Sequence, residues 1–305
     1  MIRPTNWMSR LQDKHLYEIV IPGTHDSGTE GFPTISPSRT QVYKINEQLE
    51  GGVRFLDMRL AYNSVEDNFH VVHGTDVASN LNFDTVVKWC NDFLSLNPTE
   101  TIVMSIKQEG LLPGPDDAFA RELSSWHTTH ANNHDWKSDL WYTTDSAIPT
   151  VEQAKGKIVL VKRYKVSNQS GAPLFFGGFD FTFINGNQSG GWTLLSPQSP
   201  SPQNPYVLVQ VQDEYKYEGE AKKDAVEGFI ESVMGGYVMP SPPNYVGWGI
   251  NFASSANPTP YQAAEVVNPW LAARLRQITG KLYGVLLTDY AQPALWQQIY
   301  GLNFN

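Results

Sequence analysis

Eight short apolar runs, spaced through the chain by stretches of helical periodicity, constrain this sequence more than any other feature. They cover residues 17–21, 53–58, 69–72, 101–106, 157–161, 206–211, 248–252 and 282–287. Each is rich in β-branched or aromatic residues and is bounded by Gly, Pro, Asn or charge, the pattern of a short buried strand. Between them, Phe83, Val86, Val87, Cys90, Phe93 and Leu94 recur at helical spacing over 83–96, and Asn97-Pro98 stops that helix. Residues 118–126, 221–233, 269–278 and 293–300 read as further helices, with Ala225, Phe229 and Val233 on one stripe of the second. Strands alternating with helices over 305 residues predict an α/β chain, a single closed parallel (β/α)8 barrel over 1–305. A doubly wound open sheet is the second architecture that fits. The pattern is irregular over 166–204, where 175–179, 185–191 and 196–202 read as long loops. No internal repeat or linker divides the chain.

Composition excludes several functions. Lys+Arg minus Asp+Glu is 22 − 31 = −9, which argues against a nucleic-acid partner, since phosphate backbones call for basic stripes. The single cysteine, Cys90, excludes an intrachain disulfide and a thiolate metal cluster. No apolar run approaches the ~18 residues of a membrane span. Residues 1–7 lack the apolar core of an export signal, so the expectation is an intracellular protein or one whose signal has been removed. Nine Trp with low charge fit a large aromatic core first and a sugar or lipid interface second.

The ends of the strands carry the chemistry. The first runs into Gly23-Thr24-His25-Asp26-Ser27-Gly28. The second ends in Asp57-Met58-Arg59, two residues apart and hence on one face. The third ends in His70-Val71-Val72-His73-Gly74, the fourth in Lys107-Gln108-Glu109 and the last in Thr288-Asp289-Tyr290. A barrel gathers the carboxyl ends of its strands at one rim, where active sites sit. Any one of these residues has an ordinary structural use, such as an Asp57–Arg59 ion pair or a Lys107 that reaches solvent. Charge at five corresponding ends has no such explanation. Two histidines and an arginine suit phosphoryl transfer: a neutral imidazole takes a proton, a protonated one gives it, and a guanidinium matches phosphate oxygens.

These segments resemble a family. Ile21-Pro22-Gly23-Thr24-His25-Asp26-Ser27-Gly28-Thr29, Arg54-Phe55-Leu56-Asp57-Met58-Arg59, Val72-His73-Gly74 and Thr101–Glu109 are similar to the X-box of phosphatidylinositol-specific phospholipases C in their small bacterial form. Lys157–Tyr164, Val211–Tyr215 and Thr288–Tyr290 follow in family order. The resemblance implies a distorted (β/α)8 barrel that cleaves phosphatidylinositol by attack of the inositol 2-hydroxyl, giving inositol 1,2-cyclic phosphate and diacylglycerol. It implies His25 as general base oriented by Asp289, His73 as general acid supported by Asp26, and Arg59 on the phosphate. It also implies inositol contacts from Lys107, Arg163, Asp213 and Tyr215, with Tyr215 stacked on the ring. Export to the cell exterior, transient membrane contact and a monomer belong to the same expectation.

Family members divide between Ca²⁺ enzymes and enzymes that use an arginine in place of the metal. Arg59 and Lys107 stand where metal-dependent members carry acidic ligands, so no cofactor is expected; Asp26, Asp57 and Glu109 are the set that would hold Ca²⁺ otherwise. The membrane would be met by Trp192, Met234, Tyr237, Met239, Tyr245 and Tyr261, and by apolar contact more than charge, given the net charge of −9. Two other functions fit less of the pattern: a glycerophosphodiester phosphodiesterase, and a catalytically silent inositol-lipid-binding barrel.

Overall fold

A computed structural model describes residues 2–110, 118–131, 135–143, 148–165, 178–181, 192–195, 205–236, 238–239 and 245–305. Its strands are β1 (Val20–Thr24), β2 (Phe55–Asn63), β3 (Asn68–His73), β4 (Asp76–Asn82), β5 (Ile102–Gln108), β6 (Trp141–Tyr142), β7 (Ile158–Arg163), β8 (Phe179–Asp180), β9 (Trp192–Leu195), β10 (Tyr206–Gln212), β11 (Val238–Met239), β12 (Tyr245–Phe252) and β13 (Gly284–Thr288). The helices are α1 (Ile45–Gly51), α2 (Phe83–Leu96), α3 (Ala118–Ala131), α4 (Val151–Ala154), α5 (Gly219–Phe229), α6 (Pro260–Leu275) and α7 (Pro293–Gly301).

The backbone of the sheet is parallel. Along the order β8-β7-β5-β2-β1-β13-β12-β10, every neighbour pairs parallel. This is the strand order of a (β/α)8 barrel. The barrel is distorted: antiparallel β9 flanks β10, and among the described residues no ladder joins β8 to β10. One apolar cluster fills the interior, with Ile21, Phe55, Val103, Val161, Val209, Trp248, Ile250 and Leu287. The other lies between the sheet and its helices. α2 is capped by Asn82, whose side chain accepts from the Thr85 N–H at 3.0 Å, and its apolar stripe faces this second cluster.

Several expectations change; the first strand begins at Val20, after a 3-10 turn over Leu16–Glu18, and not at Tyr17. The run at 69–72 is not a barrel strand. β2 continues past the rim to Asn63, turns, and pairs antiparallel with β3, which pairs antiparallel with β4. The helix expected at 269–278 begins at Pro260, with Thr259 as its cap, and Pro269 lies inside it. Of the expected stripe Ala225, Phe229 and Val233, Val233 is buried, but the buried residues of α5 are Lys222 and Val226, continuing to Ile230, one residue out of step with Ala225 and Phe229. A lysine at a core position hid the true face. Most of the loops expected at 175–179, 185–191 and 196–202 lie outside the described residues; where 175–179 is described, Phe179 opens β8, a barrel strand paired with β7, in place of the expected loop.

Candidate active site

The register of the sheet builds the site. Arg59 of β2 pairs with Lys107 of β5, and Lys107 pairs with Arg163 of β7. Three cations thus stand abreast at the carboxyl rim. Like charges on neighbouring strands repel, so the row needs anions around it. Asp57, two residues below Arg59 on the same face, accepts from Arg163 Nη1 at 2.7 Å. Glu109 Oε2 lies 3.1 Å from Lys107 Nζ and 3.3 Å from Arg59 Nη1. Arg59 Nε pairs with Asp26.

Asp26 follows β1 with φ +44°, a left-handed conformation sparsely used by non-glycine residues. The turn is held from the 29–41 segment. Thr40 and Gln41 side chains donate to the His25 carbonyl at 2.9 and 2.8 Å, and Thr29 donates to that of Asp26 at 2.9 Å. This aims His25 across the mouth. Its Nδ1 lies 3.0 Å from Asp289 Oδ1, and its Nε2 is 2.8 Å from Arg59 Nη2. With the guanidinium donating to Nε2, the imidazole carries its proton on Nδ1, toward Asp289. Phe252 meets the His25 ring edge-on, with centroids 5.8 Å apart.

His73 arrives from outside the barrel. Because β3 runs against β2, its end comes back down to the rim at the level of Arg59, which the parallel strands reach from below. His73 Nδ1 lies 3.1 Å from Asp26 Oδ2 and 2.8 Å from the Ser38 carbonyl, so both acceptors favour a proton on Nδ1. The two imidazoles are 6.4 Å apart, centroid to centroid, and nearly perpendicular. Asp26 Oδ2 is also 3.4 Å from His25 Nε2, but that nitrogen accepts from Arg59, so the imidazole Asp26 supports is His73.

Burial sets the protonation states. It drives His25 well below the ordinary imidazole range, and Arg59, His73, Arg163 and Lys107 push the same way. Burial pushes Asp289 well above the usual carboxylate range. Asp26 is pushed up to about 6 by burial, against the pull of Arg59 and His73. For Glu109, burial raises the pKa, but Arg59 and Lys107 outweigh it and hold the carboxyl down at about 2. Arg59 is raised: burial opposes its charge, and Asp26, Asp57 and Glu109 outweigh burial.

These side chains line a cleft of about 310 Å³. His25, Arg59, His73, Lys107, Glu109, Arg163, Asp213 and Tyr215 face it, with Ser254 and Ser255 beyond the end of β12. Every site residue expected from the sequence is therefore at this cleft or, for Asp26, Asp57 and Asp289, bonded to a residue that lines it. Missed were Ser38, Thr40 and Gln41, which hold the histidines through the backbone, and Phe252. None carries a signal in the sequence, because each acts from a loop or an ordinary strand position. The expected Asp57–Arg59 ion pair is long, at 3.9 Å; the close partner of Asp57 is Arg163.

His25, Asp26 and Asp57 offer ligand atoms within 4.8 Å of one another. As a metal site the set is poor. Each carboxylate of the expected Ca²⁺ set, Asp26, Asp57 and Glu109, already faces a cationic side chain of the chain itself.

A family model for phosphatidylinositol-specific phospholipase C, X domain, matches residues 24–164. A 1-phosphatidylinositol phosphodiesterase of Staphylococcus aureus (strain Newman) is 30% identical over 301 residues, covering 94% of this chain and 88% of the relative. The chain belongs to the bacterial phosphatidylinositol-specific phospholipase C family. A solved structure of the S. aureus phospholipase, described in connection with membrane binding, superposes with a TM-score of 0.77 at 27% identity, covering 98% of this chain and 97% of that one. The Listeria monocytogenes phospholipase has the same fold, with a TM-score of 0.70 at 23% identity and 99% of each chain covered. The matched family segment runs from the His25 turn through β7, so it takes in His25, Asp26, Arg59, His73, Lys107 and Arg163.

Proposed function

We propose that this phospholipase C cleaves phosphatidylinositol in two steps, of which the first is intramolecular. The inositol 2-hydroxyl gives its proton to His25 Nε2 as its oxygen bonds to phosphorus. The bond from phosphorus to the glycerol oxygen breaks, and His73 gives that oxygen a proton. The products are inositol 1,2-cyclic phosphate and diacylglycerol. Water opens the cyclic ester in a slower second step, with the histidines exchanging roles. One observation supports this above all: two imidazoles face one cleft, each backed by its own carboxylate contact, with Arg59 between them.

The two histidines suit different tasks. His25, held neutral by burial and the cations around it, suits a base. Asp289 fixes its tautomer and stabilises the positive charge that develops on the imidazole. His73 has Asp26 and the Ser38 carbonyl behind Nδ1, leaving Nε2 for the leaving oxygen. Arg59 Nη2, 2.8 Å from His25 Nε2, exchanges that partner for a phosphate oxygen. Lys107, Arg163, Asp213 and Tyr215 hold the inositol hydroxyls and ring face.

The guanidinium of Arg59 supplies the charge that a metal would bring, so the reaction proceeds without Ca²⁺. The cation row also favours the unphosphorylated headgroup. Arg59, Lys107 and Arg163 each face a carboxylate, which leaves little surplus charge for phosphates on the ring.

The enzyme acts at the cell exterior on membrane lipid, by transient apolar contact. Of the rim residues expected to dock, Met234 is fully buried, packed beneath Gly249, and does not serve. Tyr237 lies outside the described residues, as do the side chains of Trp192, Met239 and Tyr245. Tyr261 is half exposed, and Ile35, at 95% exposed, joins it. Pro37 and Pro260, their near neighbours in sequence, line the cleft.

Phosphorus NMR of the products from phosphatidylinositol tests the reaction. Inositol 1,2-cyclic phosphate must appear first. Acyclic inositol phosphate as the first product would assign the chain to direct hydrolysis, and no product would assign it to binding alone.

A further inference from the structure

α5 places a lysine where an apolar residue belongs. Lys222 is 0% exposed. Its Nζ donates to Gln212 Oε1 at 3.2 Å and to the Glu214 carbonyl at 3.3 Å. Those two residues bracket Asp213 on the turn that follows β10. Gln212 is itself pinned. Its Nε2 donates to Asn251 Oδ1 at 2.6 Å and to the Phe252 carbonyl at 3.0 Å, and its Oε1 also accepts the Glu214 N–H at 2.7 Å. The ammonium thus ends a buried network that runs from α5 through the Asp213 turn to Phe252, the ring packed on His25.

Both hydrogen-bond acceptors of Lys222 are neutral. A buried ammonium with only neutral ligands is costly to keep unless carboxylates lie within range of its field. The carboxylates whose field reaches it are those of Asp213 and Glu214 on the β10 turn and Asp289 after β13. Asp289 needs such a neighbour. Its Oδ1 meets His25, while its Oδ2 is buried and without a hydrogen bond among the described residues.

We infer that Lys222 is a positioning residue of the active site, a buried cation that braces the Asp213 turn and lends its charge to the carboxylates of Asp213 and Asp289. The inference rests on the proposed function, in which one of these carboxylates holds inositol and the other orients the base. Burial pushes Lys222 down to about 8, against the pull of Asp213, Asp289 and Glu214. Its charge is therefore present below about pH 8 and lost above it.

Lys222→Met and Lys222→Arg test this in the full chain, with soluble inositol 1,2-cyclic phosphate as the probe. Lys222→Met removes the charge and keeps the bulk; it should lower kcat/KM by about tenfold or more, the factor that one pKa unit brings. In that variant the carboxyl carbon resonances of Asp213 and Asp289 should titrate at higher pH. Lys222→Arg should restore activity and carry its alkaline limb above that of the parent. A Lys222→Met protein that matches the parent in both kcat/KM and carboxyl titration would overturn the inference. If that variant fails to fold, Lys222→Arg decides alone: an unchanged alkaline limb would equally overturn it. A parent that makes no cyclic phosphate from phosphatidylinositol would sink the proposed reaction instead, and the carboxyl titrations would still decide the role of Lys222.

Discussion

The two ends of the barrel each bury an arginine of β2 or its approach, and the two are built to opposite plans. Arg54, just before β2, pairs with Glu100 at 2.7 Å, both side chains wholly buried. All of its N–H groups are used. Nε and Nη2 donate to Glu100, Nη2 also to the Pro4 carbonyl, and Nη1 to the carbonyls of Leu49 and Val53. The guanidinium also lies 4.4 Å over the Phe93 ring. Five residues later, Arg59 faces carboxylates of Asp26, Asp57 and Glu109 and the ring of His25, and it lines an open cleft. The first arginine has one counter-charge and fixed backbone acceptors, so it closes a structure. The second has several partners and can exchange one of them for a ligand.

Removing each arginine should separate the two roles. Arg59→Ala should lower the cyclisation rate by about 10³-fold or more, the scale on which a guanidinium stabilises a phosphoryl transition state, with a small change in melting temperature. His25→Ala and His73→Ala should each cost about 10²–10⁴-fold. A variant of either histidine that cyclises near the parent rate would remove that residue from its role. Arg54→Ala should instead cost about 3–5 kcal/mol of stability, because Glu100 is left buried and unpaired. Its turnover per folded molecule on soluble cyclic phosphate should stay near the parent value; denaturant melts and active-site titration read the two quantities.

Proton linkage should show the same contrast more gently. Asp26 titrates at about 6 when folded, against an ordinary value of 3.8. A carboxyl raised on folding binds its proton more tightly in the native state. Its contribution to stability is whole below pH 3.8 and is lost as the pH climbs through about 6. The stability of the parent relative to Asp26→Asn should therefore decline over that window. A flat difference would mean that Asp26 is not raised. Smaller still, Ile35→Ala with Tyr261→Ala should weaken binding to phosphatidylcholine vesicles and spare soluble cyclic phosphate hydrolysis; equal loss on both would remove these side chains from the docking surface. Excess chelator should leave turnover unchanged, and activity restored by Ca²⁺ after chelation would show that Arg59 does not replace a metal.

The sequence was legible where one physical rule acts alone. Barrel strands such as 158–161 and 206–211 are short and β-branched, and their ionisable ends follow from chain direction, so His25, Arg59, Lys107 and Asp289 could be placed together. β4 was not legible, because Asp76–Asn82 mixes Asp, Ser and Asn with few apolar residues and becomes a strand only by pairing with β3. Without β4, the run at 69–72 reads as a barrel strand, and His73 reads as rising with the others. The partner of Asp57 was hidden by distance along the chain. Arg163 comes 106 residues later and meets it only through the shared register of β2, β5 and β7. Lys222 was hidden by its own chemistry, since a charged residue at an inward position breaks the apolar periodicity that marks a helix face.

The hairpin that carries His73 has a consequence for how such a catalyst is altered over time. Among the described residues, β3 is hydrogen-bonded as a strand to the barrel sheet through β2 alone, with β4 on its other side and an irregularity in register between His70 and Val72. Strand pairing places successive side chains on opposite faces, so a slip of one residue there offers Val72 or Gly74 where the imidazole now stands. The proposed proton donor is mounted on an outrigger, and an insertion or deletion near the 64–67 turn can silence or revive it while leaving every barrel strand in place.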